Sequence, residues 1–471
     1  MKFLKKNLDK IKDECGIFGI YNQKEAVSLT VLGLHSLQHR GQESAGIVSF
    51  KNNALYHHKG AGLVNDVFKG ISIEGNIAIG HVRYSTTGDQ RYENIQPLIA
   101  NTSLGKISIA HNGNITNSKI LKKELANHDQ IFQSTTDTEF ILSLLSLNNK
   151  DTIEQRFVDF SSKLEGAYSL LIIKNNKLIG VRDPYGFRPL VIGKYNKSFI
   201  ITSETCALDI IGAKYVRDIE PGEIVSISEK GIESRKINSK NKQEKFCVFE
   251  FIYFMRPNSI FQNKSVSNIR EKIGSELAKE NGVEADVVIP VPDSGIHAAI
   301  GYSETSKIPF KQGIIRSHYM GRTFIEPKIN IRNLNVNMKL SINKFYIKNK
   351  KIILIDDSIV RGTNMKKIVG MLKDGGAKEI HVRIASPPFI SPCYYGIDTP
   401  TKQELVASKK SLKYLTKYFN CDTLKYISIE GLYKAFYNGQ ILKGEKHYCD
   451  SCFTEKYFFS KHTNNLRNKN H

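Results

Sequence analysis

The sequence lacks any apolar run long enough to span a bilayer. Its first fourteen residues, MKFLKKNLDKIKDE, also lack the apolar centre of a secretory signal, because charged side chains are spread through them. We therefore expect a cytoplasmic protein with no membrane partner. A chain of 471 residues exceeds one ordinary hydrophobic core, so two or three domains are expected.

Acidic residues are scarce relative to basic ones: 46 Asp and Glu stand against 68 Lys and Arg, which gives a net charge of +22. Such an excess can indicate nucleic-acid binding. However, the lysines are scattered, and no basic helix is interleaved with aromatic residues. We therefore interpret the charge as a general composition bias and predict no nucleic-acid partner. A positive field would also attract an anionic substrate.

The cysteine count is odd, seven in all, which argues against a disulfide framework in a large cytoplasmic chain. Cys449 and Cys452 form a Cys-x-x-Cys pair, a spacing found in zinc, redox and iron–sulfur sites. Together with Cys247 and Cys393 they would supply four thiolates, enough for one [4Fe–4S] cluster. The spacing alone does not distinguish such a cluster from a Cys₄ zinc site.

The most specific stretch is Lys351–Asn364, KIILIDDSIVRGTN. The apolar run Ile352–Ile355 predicts a strand buried on both faces of a parallel sheet, and Asp356 and Asp357 follow at its carboxyl end. A loop of small residues then leads into an amphipathic helix. It is no Walker A loop, since no Gly-Lys-Ser/Thr follows at the required spacing. Such a loop can hold a phosphate, and the carboxylates can bind sugar hydroxyls or Mg²⁺.

This string resembles the phosphoribosyl diphosphate (PRPP) fingerprint of the phosphoribosyltransferases, which implies a doubly wound α/β domain. The resemblance implies that Asp356 and Asp357 hold the ribose and Mg²⁺. It also implies that the following loop cradles the 5-phosphate through Ser358, Ile359, Val360, Arg361, Gly362 and Thr363.

Two further segments of the second half resemble parts of the same family. A predicted strand, Val287–Val291, is followed by a loop similar to the family's diphosphate loop, in which Ser294 would contact metal or diphosphate. The basic stretch Arg316–Lys339 contains GRTFIEP and resembles the lid that closes over PRPP, with Arg322 as a substrate contact.

Cys15 follows a short polar leader. If residues 1–14 were cleaved, its α-amine, with a pKa near ~7.7–8, could act as base for its own thiol. Five motifs then follow in order: Leu34–Gly46 (LHSLQHRGQESAG), Gly80–Gly88 (GHVRYSTTG), Ile109–Asn117 (IAHNGNITN), Ser134–Glu139 (STTDTE) and Glu165–Tyr168 (EGAY). Together they resemble the glutaminase domain of class II glutamine amidotransferases, which are N-terminal-nucleophile hydrolases. That resemblance implies a four-layer sandwich of two antiparallel sheets between helices.

The resemblance also implies roles that suit the chemistry of free glutamine. Arg83 would bind the α-carboxylate as a planar, bidentate cation, and Asp137 would bind the α-amino group. The Asn112 side chain and the Gly113 N–H would stabilise the oxyanion. Two residues beside the nucleophile, Arg40 and Gly41, would shape the pocket.

Residues 15–455 as a whole resemble the amidophosphoribosyltransferases, which convert glutamine, PRPP and water into 5-phosphoribosylamine, glutamate and diphosphate. A subgroup of that family carries a cleaved propeptide and a [4Fe–4S] cluster, which implies cluster ligation by the four cysteines named above. The family also implies a homotetramer and feedback inhibition by purine nucleotides. We predict a propeptide (1–14), a glutaminase domain (15–245), a phosphoribosyltransferase domain (246–440) and a tail with two cluster cysteines (441–471).

Two alternatives remain open from sequence. Another class II amidotransferase would share the first half but lack the string at 352–364. A nucleotide-sensing regulator on a phosphoribosyltransferase fold would need no N-terminal nucleophile, and it would bind DNA with a steep salt dependence.

Overall fold

The structure, a computed structural model, describes residues 12–13, 15–84, 91–126, 133–237, 243–317, 340–440 and 447–459. The strands of its first half are β1 (Lys12–Asp13), β2 (Cys15–Tyr21), β3 (Ser44–Lys51), β4 (Ala54–Ala61), β5 (Ile77–Arg83), β6 (Leu98–Thr102), β7 (Gly105–Ile115), β8 (Gly166–Lys174), β9 (Lys177–Arg182), β10 (Val191–Tyr195), β11 (Ser198–Thr202), β12 (Lys214–Asp218), β13 (Glu223–Ser228) and β14 (Gly231–Lys236).

Strands β2–β14 form two antiparallel sheets that pack face to face. The seven-stranded sheet has the order β12-β10-β11-β2-β5-β3-β4, and the six-stranded sheet has the order β14-β13-β9-β8-β7-β6. Alternate side chains point to opposite faces of a strand. Ile17 and Ile79 of the first sheet therefore meet Leu171 and Ile173 of the second in a fully buried layer between them.

Helices cover the outer faces of both sheets. The helices of this half are α1 (Ala26–Ser36), α2 (Val64–Val67), α3 (Ser118–Ala126), α4 (Asp137–Leu147), α5 (Ile153–Phe160) and α6 (Cys206–Asp209), with short 3₁₀ turns at Tyr92–Asn94 and Ser161–Lys163. Helix α1 packs against β2 and β5, whereas α4 packs against β6 and β7. The predicted four-layer sandwich is confirmed.

The second half contains β15 (Phe246–Cys247), β16 (Ile260–Phe261), β17 (Lys264–Ser265), β18 (Val287–Pro290), β19 (Ile314–Arg316), β20 (Leu340–Ile342), β21 (Lys351–Asp356), β22 (Glu379–Ile384), β23 (Ile397–Asp398), β24 (Thr423–Tyr426) and β25 (Tyr448–Cys449). Its helices are α7 (Val266–Glu280), α8 (Ile296–Ser306), α9 (Lys344–Ile347), α10 (Thr363–Asp374), α11 (Leu412–Phe419), α12 (Ile429–Phe436) and α13 (Ser451–Thr454), with a π-helix at Glu250–Phe254 and a 3₁₀ turn at Lys402–Glu404.

A parallel sheet in the order β18-β21-β22-β24 organises this half. Its strand β21 is apolar on both faces: Ile353 and Ile355 face the layer that contains α7 and α8, while Ile352 and Leu354 face the layer of α10 and α11. All four side chains are fully buried, which explains why the sequence shows no polar alternation here. The predicted doubly wound α/β domain is confirmed.

The two halves share one continuous core. Phe18 and Leu34 under the seven-stranded sheet belong to the same buried cluster as Phe249, Phe251 and Ile269 of the second half. The aromatic segment that begins at β15 therefore lies at the junction. The four remaining two-stranded ribbons pair β1 with β23, β15 with β25, β16 with β17 and β19 with β20. None of the helices in the described ranges combines the length and the apolar character required to cross a membrane.

Candidate active sites

Cys15, Arg83 and Ser44 form a row across the seven-stranded sheet. The strand register sets Cys15 opposite Arg83, and Arg83 opposite Ser44. All three side chains are buried. They share the strand parity of Ile17, Ile79 and Val48, so they face the layer between the two sheets. The predicted nucleophile and the predicted carboxylate-binding cation therefore lie side by side.

The inner face of the six-stranded sheet presents Asn112 to the same layer. Asn112 has the parity of Ala110, which is packed between the sheets, and it is fully buried. Among the described residues, its amide has no hydrogen-bond partner at either the nitrogen or the oxygen. A buried, unpaired amide costs free energy unless a ligand satisfies it. This side chain is therefore placed to bind a polar group that lies between the sheets.

Gly113 follows with a φ of +147°, and a Cβ there would lie 2.1 Å from the carbonyl oxygen of Ala167. Strand β7 therefore needs glycine at this point. The Gly113 backbone therefore lies next to the Asn112 amide, which is the arrangement that the predicted oxyanion role requires.

Asp137 begins helix α4 and reaches back to strand β7. Its carboxylate accepts a hydrogen bond of 2.8 Å from the Ile115 N–H and lies 3.5 Å from His111 Nδ1. Burial alone would raise the pKa of Asp137, but the charge and hydrogen bond of His111 and the Ile115 N–H outweigh it, so the net pKa is lowered. Asp137 is thus held as an anion near Asn112 and Gly113.

Arg40 and Gly41 lie directly against the row that contains the nucleophile. A Cβ on Gly41 would lie 2.4 Å from the Arg83 backbone nitrogen, so only glycine allows this loop to approach β5. Arg40 is fully buried, and its guanidinium pairs with the carboxylates of Glu204 and Glu250. Its charge is therefore already satisfied by the protein.

His81 links the two sheets beside the nucleophile strand. Its Nε2 donates to the His111 carbonyl at 3.1 Å, across the inner layer. Burial, and then the nearby Arg83 charge, lower the pKa of His81 to about 3. His81 is therefore neutral at physiological pH and serves as a hydrogen-bond donor.

The second candidate site lies at the carboxyl end of β21. Asp356 and Asp357 are both buried, and the Ser358 hydroxyl donates to Asp357 at 2.5 Å. The side chains of Ile359 and Val360 are 3% exposed and point into the two cores, so this part of the loop can offer a ligand only its backbone. The loop thus has the form of a phosphate cradle that leads into α10.

Two more features complete the loop. Gly362 has a φ of +82°, and a Cβ there would lie 2.7 Å from the Phe419 ring. Arg361 points sideways and donates to Glu404 at 3.0 and 3.2 Å. Thr363 is the first residue of α10 and is exposed at its N-terminus.

A neighbouring loop brings Ser294 to the same edge of the sheet. Ser294 and Asp357 line one crevice, together with Arg270 and four apolar side chains. Arg316, at the start of the predicted lid, donates to Asp293 of this loop at 2.6 Å. Arg322 and most of the predicted lid lie outside the described residues.

The four predicted cluster cysteines converge at the junction of the two halves. Strand β15 pairs with β25 so that Cys247 stands beside Cys449, and the Cys452 carbonyl accepts N–H groups from Ile390 and Ser391, near Cys393. Burial, followed by the charges of the other three thiols, raises the pKa of Cys452 well above its ordinary value. All seven cysteines are described, and none forms a disulfide.

No group of three or more His, Cys, Asp or Glu side chains within the described ranges is placed to hold a metal ion. Asp356, Asp357 and the four cysteines are among these side chains. A cluster of several irons is larger than one ion, so its thiolates stand farther apart than the ligands of a single Zn²⁺. Three buried thiols and the half-buried Cys393 suit a cluster in donor type and number.

The structure adds residues that the sequence did not single out. Ser44 and Ser169 face the layer between the two antiparallel sheets, and their buried hydroxyls have no partner among the described residues. Ser44 stands inside a motif, but nothing in the sequence shows which way its side chain points. Glu204, Glu250 and Arg270 are buried charges whose positions arise only from packing of the two halves.

Comparisons with known proteins identify the family of the chain. The family described as glutamine amidotransferase domain matches residues 81–209. An amidophosphoribosyltransferase of Rhizobium etli is 46% identical, with 98% of this chain and 94% of the relative covered. One from Methanocaldococcus jannaschii is 46% identical and covers 94% of this chain and 97% of its own length.

A solved structure shows the same architecture over nearly the whole length. The glutamine PRPP amidotransferase of Bacillus subtilis, complexed with ADP and GMP, has a TM-score of 0.89 and 44% identity, with 94% of this chain and 97% of that chain covered. The chain therefore belongs to the amidophosphoribosyltransferase family, the enzymes of the first committed step of purine biosynthesis.

Proposed function

We propose that the first half hydrolyses glutamine with Cys15 as the nucleophile. The observation that carries this proposal is the placement of Cys15 beside Arg83, across the inner layer from the Asn112 amide, which has no partner among the described residues. The thiol attacks the amide carbon, the Asn112 amide and the Gly113 N–H stabilise the oxyanion, and ammonia leaves. Water then releases glutamate from the thioester. Arg83 and Asp137 hold the two ends of the amino acid.

The nucleophile requires a base, and the α-amine of Cys15 is the proposed one. Such an amine has a pKa near ~7.7–8 and is therefore partly neutral at physiological pH. This role requires removal of residues 1–14. Lys12 and Asp13 pair with β23 of the second half, while residues 1–11 and 14 lie outside the described residues.

The second half transfers the ammonia to C1 of PRPP. The backbone of Ser358–Thr363 and the N-terminus of α10 bind the 5-phosphate, while Asp356 and Asp357 hold the ribose hydroxyls. Mg²⁺, held with Ser294, Asp356 and Asp357, would neutralise the departing diphosphate. Arg322 would add positive charge from the lid. Coupling both steps in one chain delivers ammonia before water can protonate it.

A [4Fe–4S] cluster on Cys247, Cys393, Cys449 and Cys452 would tie the tail to the junction. Support comes from the convergence of three buried thiols and the half-buried Cys393, and from the side-by-side register of Cys247 and Cys449. Each thiol must lose its proton to bind iron, so protonation of these thiols competes with cluster binding. Iron and sulfide analysis of Cys393→Ser against the parent chain tests this assignment.

Purine nucleotides are the proposed feedback inhibitors, in line with the ADP and GMP complex of the Bacillus subtilis relative. A nucleoside monophosphate carries the same 5-phosphate and ribose as PRPP, so it would compete for the loop at Ser358–Thr363. We further propose a homotetramer that works in the cytoplasm. Competition between GMP and PRPP in initial-rate measurements, and light scattering for the mass, test these statements.

The decisive experiment measures glutamate release from glutamine by anaerobically purified protein that begins at Cys15. Release that Mg·PRPP strongly stimulates, and that Cys15→Ala abolishes, is the expected result. Hydrolysis at a rate that PRPP does not change would support the glutaminase assignment, but it would leave the acceptor of the ammonia unassigned. The absence of hydrolysis would overturn the proposal.

A further inference from the structure

A buried network of charges joins the two halves beneath the glutamine site. Arg40 donates from its Nε to Glu204 and from its terminal nitrogens to Glu250, and Arg188 donates to the same Glu250 carboxylate at 3.0 Å. The four side chains are at most 1% exposed. Glu204 comes from the first half, whereas Glu250 begins the π-helix at the junction.

Arg40 is the member of this network that contacts the nucleophile strand. A Cβ placed on Gly16, the residue after Cys15, would lie 3.3 Å from Arg40 Cδ. The next residue, Gly41, packs on the backbone of Arg83. The Arg40 side chain therefore lies against the strand that carries the nucleophile, and its neighbour Gly41 lies against the predicted carboxylate-binding residue.

Further contacts hold each of the two glutamates that bind Arg40. Glu204 also accepts the Arg256 N–H at 2.9 Å, the Ser259 hydroxyl at 2.7 Å and His39 Nε2 at 2.7 Å. Glu250 lies on a helix whose carbonyls are bound in turn by Arg270. The Arg270 guanidinium donates to the Phe251 and Met255 carbonyls at 2.7 Å each, and Arg270 lines the crevice that contains Asp357.

Stability alone does not account for such a network. The two cations and the two anions neutralise one another. The free energy cost of removing four charges from water offsets most of their attraction, so proteins with apolar side chains in such places are often equally stable. What the network does provide is a fixed direction for the Arg40 guanidinium. Through Glu250, part of that direction is set from the second half of the chain.

We propose that Glu250 is a positioning residue for the glutamine site. Its carboxylate fixes Arg40, and Arg40 in turn fixes Gly16 and Gly41 beside Cys15 and Arg83. The proposal rests on the proposed role of Cys15 in glutamine hydrolysis. Glu250 itself touches neither substrate, so its loss impairs the use of glutamine and spares the transfer of ammonia supplied from solution.

The test compares two activities of the full-length enzyme in Glu250→Gln: synthesis of phosphoribosylamine from glutamine, and the same synthesis from ammonium chloride. Because Gln keeps the reach of Glu but loses its charge, we expect kcat/KM for glutamine to fall roughly 10- to 100-fold. The ammonia-dependent rate should stay within about twofold of the parent, since misplacement at Arg40 leaves the PRPP loop in place. Glu250→Asp keeps the charge and should recover part of the lost kcat/KM.

Glu154→Gln is the matched control. Glu154 is a buried glutamate of the first half, and it accepts the Ser226 hydroxyl at 2.6 Å. Its replacement should change both activities equally or not at all. This control shows what the loss of a buried carboxylate does in general, so that the specific effect of losing Glu250 can be identified.

Glu250→Gln leaves an uncompensated cation, and the variant can fail to fold for that reason. The double variant Arg188→Gln, Glu250→Gln keeps Arg40 and Glu204 as a balanced pair and should show the same selective loss. Equal loss of both activities together with a lower Tm, or an unchanged kcat/KM for glutamine, would overturn the proposal. If instead the parent enzyme fails to release glutamate, the glutaminase assignment itself fails, which is a distinct result.

Discussion

At the scale of single residues, Asn112 should separate activity from stability. Its buried amide makes no hydrogen bond among the described residues, so Asn112→Ala removes an unsatisfied group rather than a bond. We expect kcat for glutamine hydrolysis to fall ~10²–10³-fold through the lost oxyanion contact. The Tm should not fall.

Asn94→Ala provides the control for a satisfied buried amide. The Asn94 side chain donates to the Thr135 hydroxyl at 2.9 Å and accepts the Thr135 N–H at 3.0 Å. Its loss should lower the free energy of unfolding by about 1–3 kcal/mol. A Tm loss in Asn112→Ala as large as in Asn94→Ala would contradict the oxyanion role.

His81 should make the folded protein sensitive to acid. Its pKa is about 3 in the folded protein and 6.5 ordinarily, so below pH 6.5 the unfolded chain binds a proton that the folded chain excludes. The free energy of unfolding therefore falls as the pH drops through this range, by about 1.4 kcal/mol per unit. In His81→Gln the amide can still donate to the His111 carbonyl, but this pH dependence disappears.

Urea denaturation at pH 7.5 and pH 5 measures the effect. Between these two values the parent protein should lose about 2 kcal/mol more than His81→Gln. His57→Gln, which changes an exposed histidine on β4, should behave as the parent does. Identical losses in the parent and His81→Gln would show that His81 takes up its proton in the folded state.

The sequence predicts which residues form the candidate sites, but it does not predict what surrounds them. Motifs such as HNGN and IDDSIVRGT predict which residues bind a ligand. They also place glycine where the backbone has a positive φ, at Gly113 and Gly362. Which carboxylate satisfies Arg40 depends on packing between segments about 200 residues apart, for which a single sequence offers no pattern. For the same reason Ser44, Ser169 and Glu250 became visible only in the structure.

At the scale of elements, the turn between β21 and α10 depends on Gly362. Its φ of +82° strains any other residue, and a Cβ there meets the Phe419 ring at 2.7 Å. Gly362→Ala should cost roughly 1–3 kcal/mol and displace the phosphate loop. The KM for PRPP should therefore rise, while glutamine hydrolysis measured without PRPP stays near the parent rate.

Gly439→Ala is the matched control for this loop. Gly439 has nearly the same φ, +87°, but a Cβ there meets nothing within 4 Å among the described residues. Gly439→Ala should lower the stability by a similar amount through backbone strain, but it should leave the KM for PRPP unchanged. Equal KM values in the two variants would show that strain at this turn has no influence on the phosphate loop.

The regular elements were predicted closely wherever hydrophobic patterning is strong. The expected strand Val287–Val291 is observed as Val287–Pro290, and the apolar run at 352–355 lies within β21. The short ribbons at the junction escaped prediction. Two-residue strands such as β15 and β25 have no periodicity, and their pairing partner lies at the other end of the second half.

At the scale of the whole molecule, the shared core should make the two halves unfold together. Phe249 is fully buried at the junction, with its ring 5.5 Å from both Phe389 and Phe453 and 5.7 Å from Phe254. Phe249→Ala should lower the free energy of unfolding by about 3–5 kcal/mol. Glutamate release and ammonia-dependent synthesis should then be lost at the same, lower temperature.

Phe157→Ala tests the same change away from the junction. Phe157 is equally buried, and it packs in the outer layer of the six-stranded sheet, against Phe160 and Tyr168. This layer lies outside the shared core and can open locally, so glutamate release should be lost first in this variant. If ammonia-dependent synthesis survives to a higher temperature in Phe249→Ala as well, the junction does not couple the halves.

The pairing of β15 with β25 also sets an order of events during translation. Phe246 leaves the ribosome roughly 200 residues before Tyr448, its register partner. At ~5–20 residues per second, that interval lasts on the order of 10–40 seconds. Throughout this time Phe246 and Phe251 lack the Tyr448 segment that packs against them. Nascent chains of this protein should therefore engage a chaperone, and release from it should follow synthesis of the last strand.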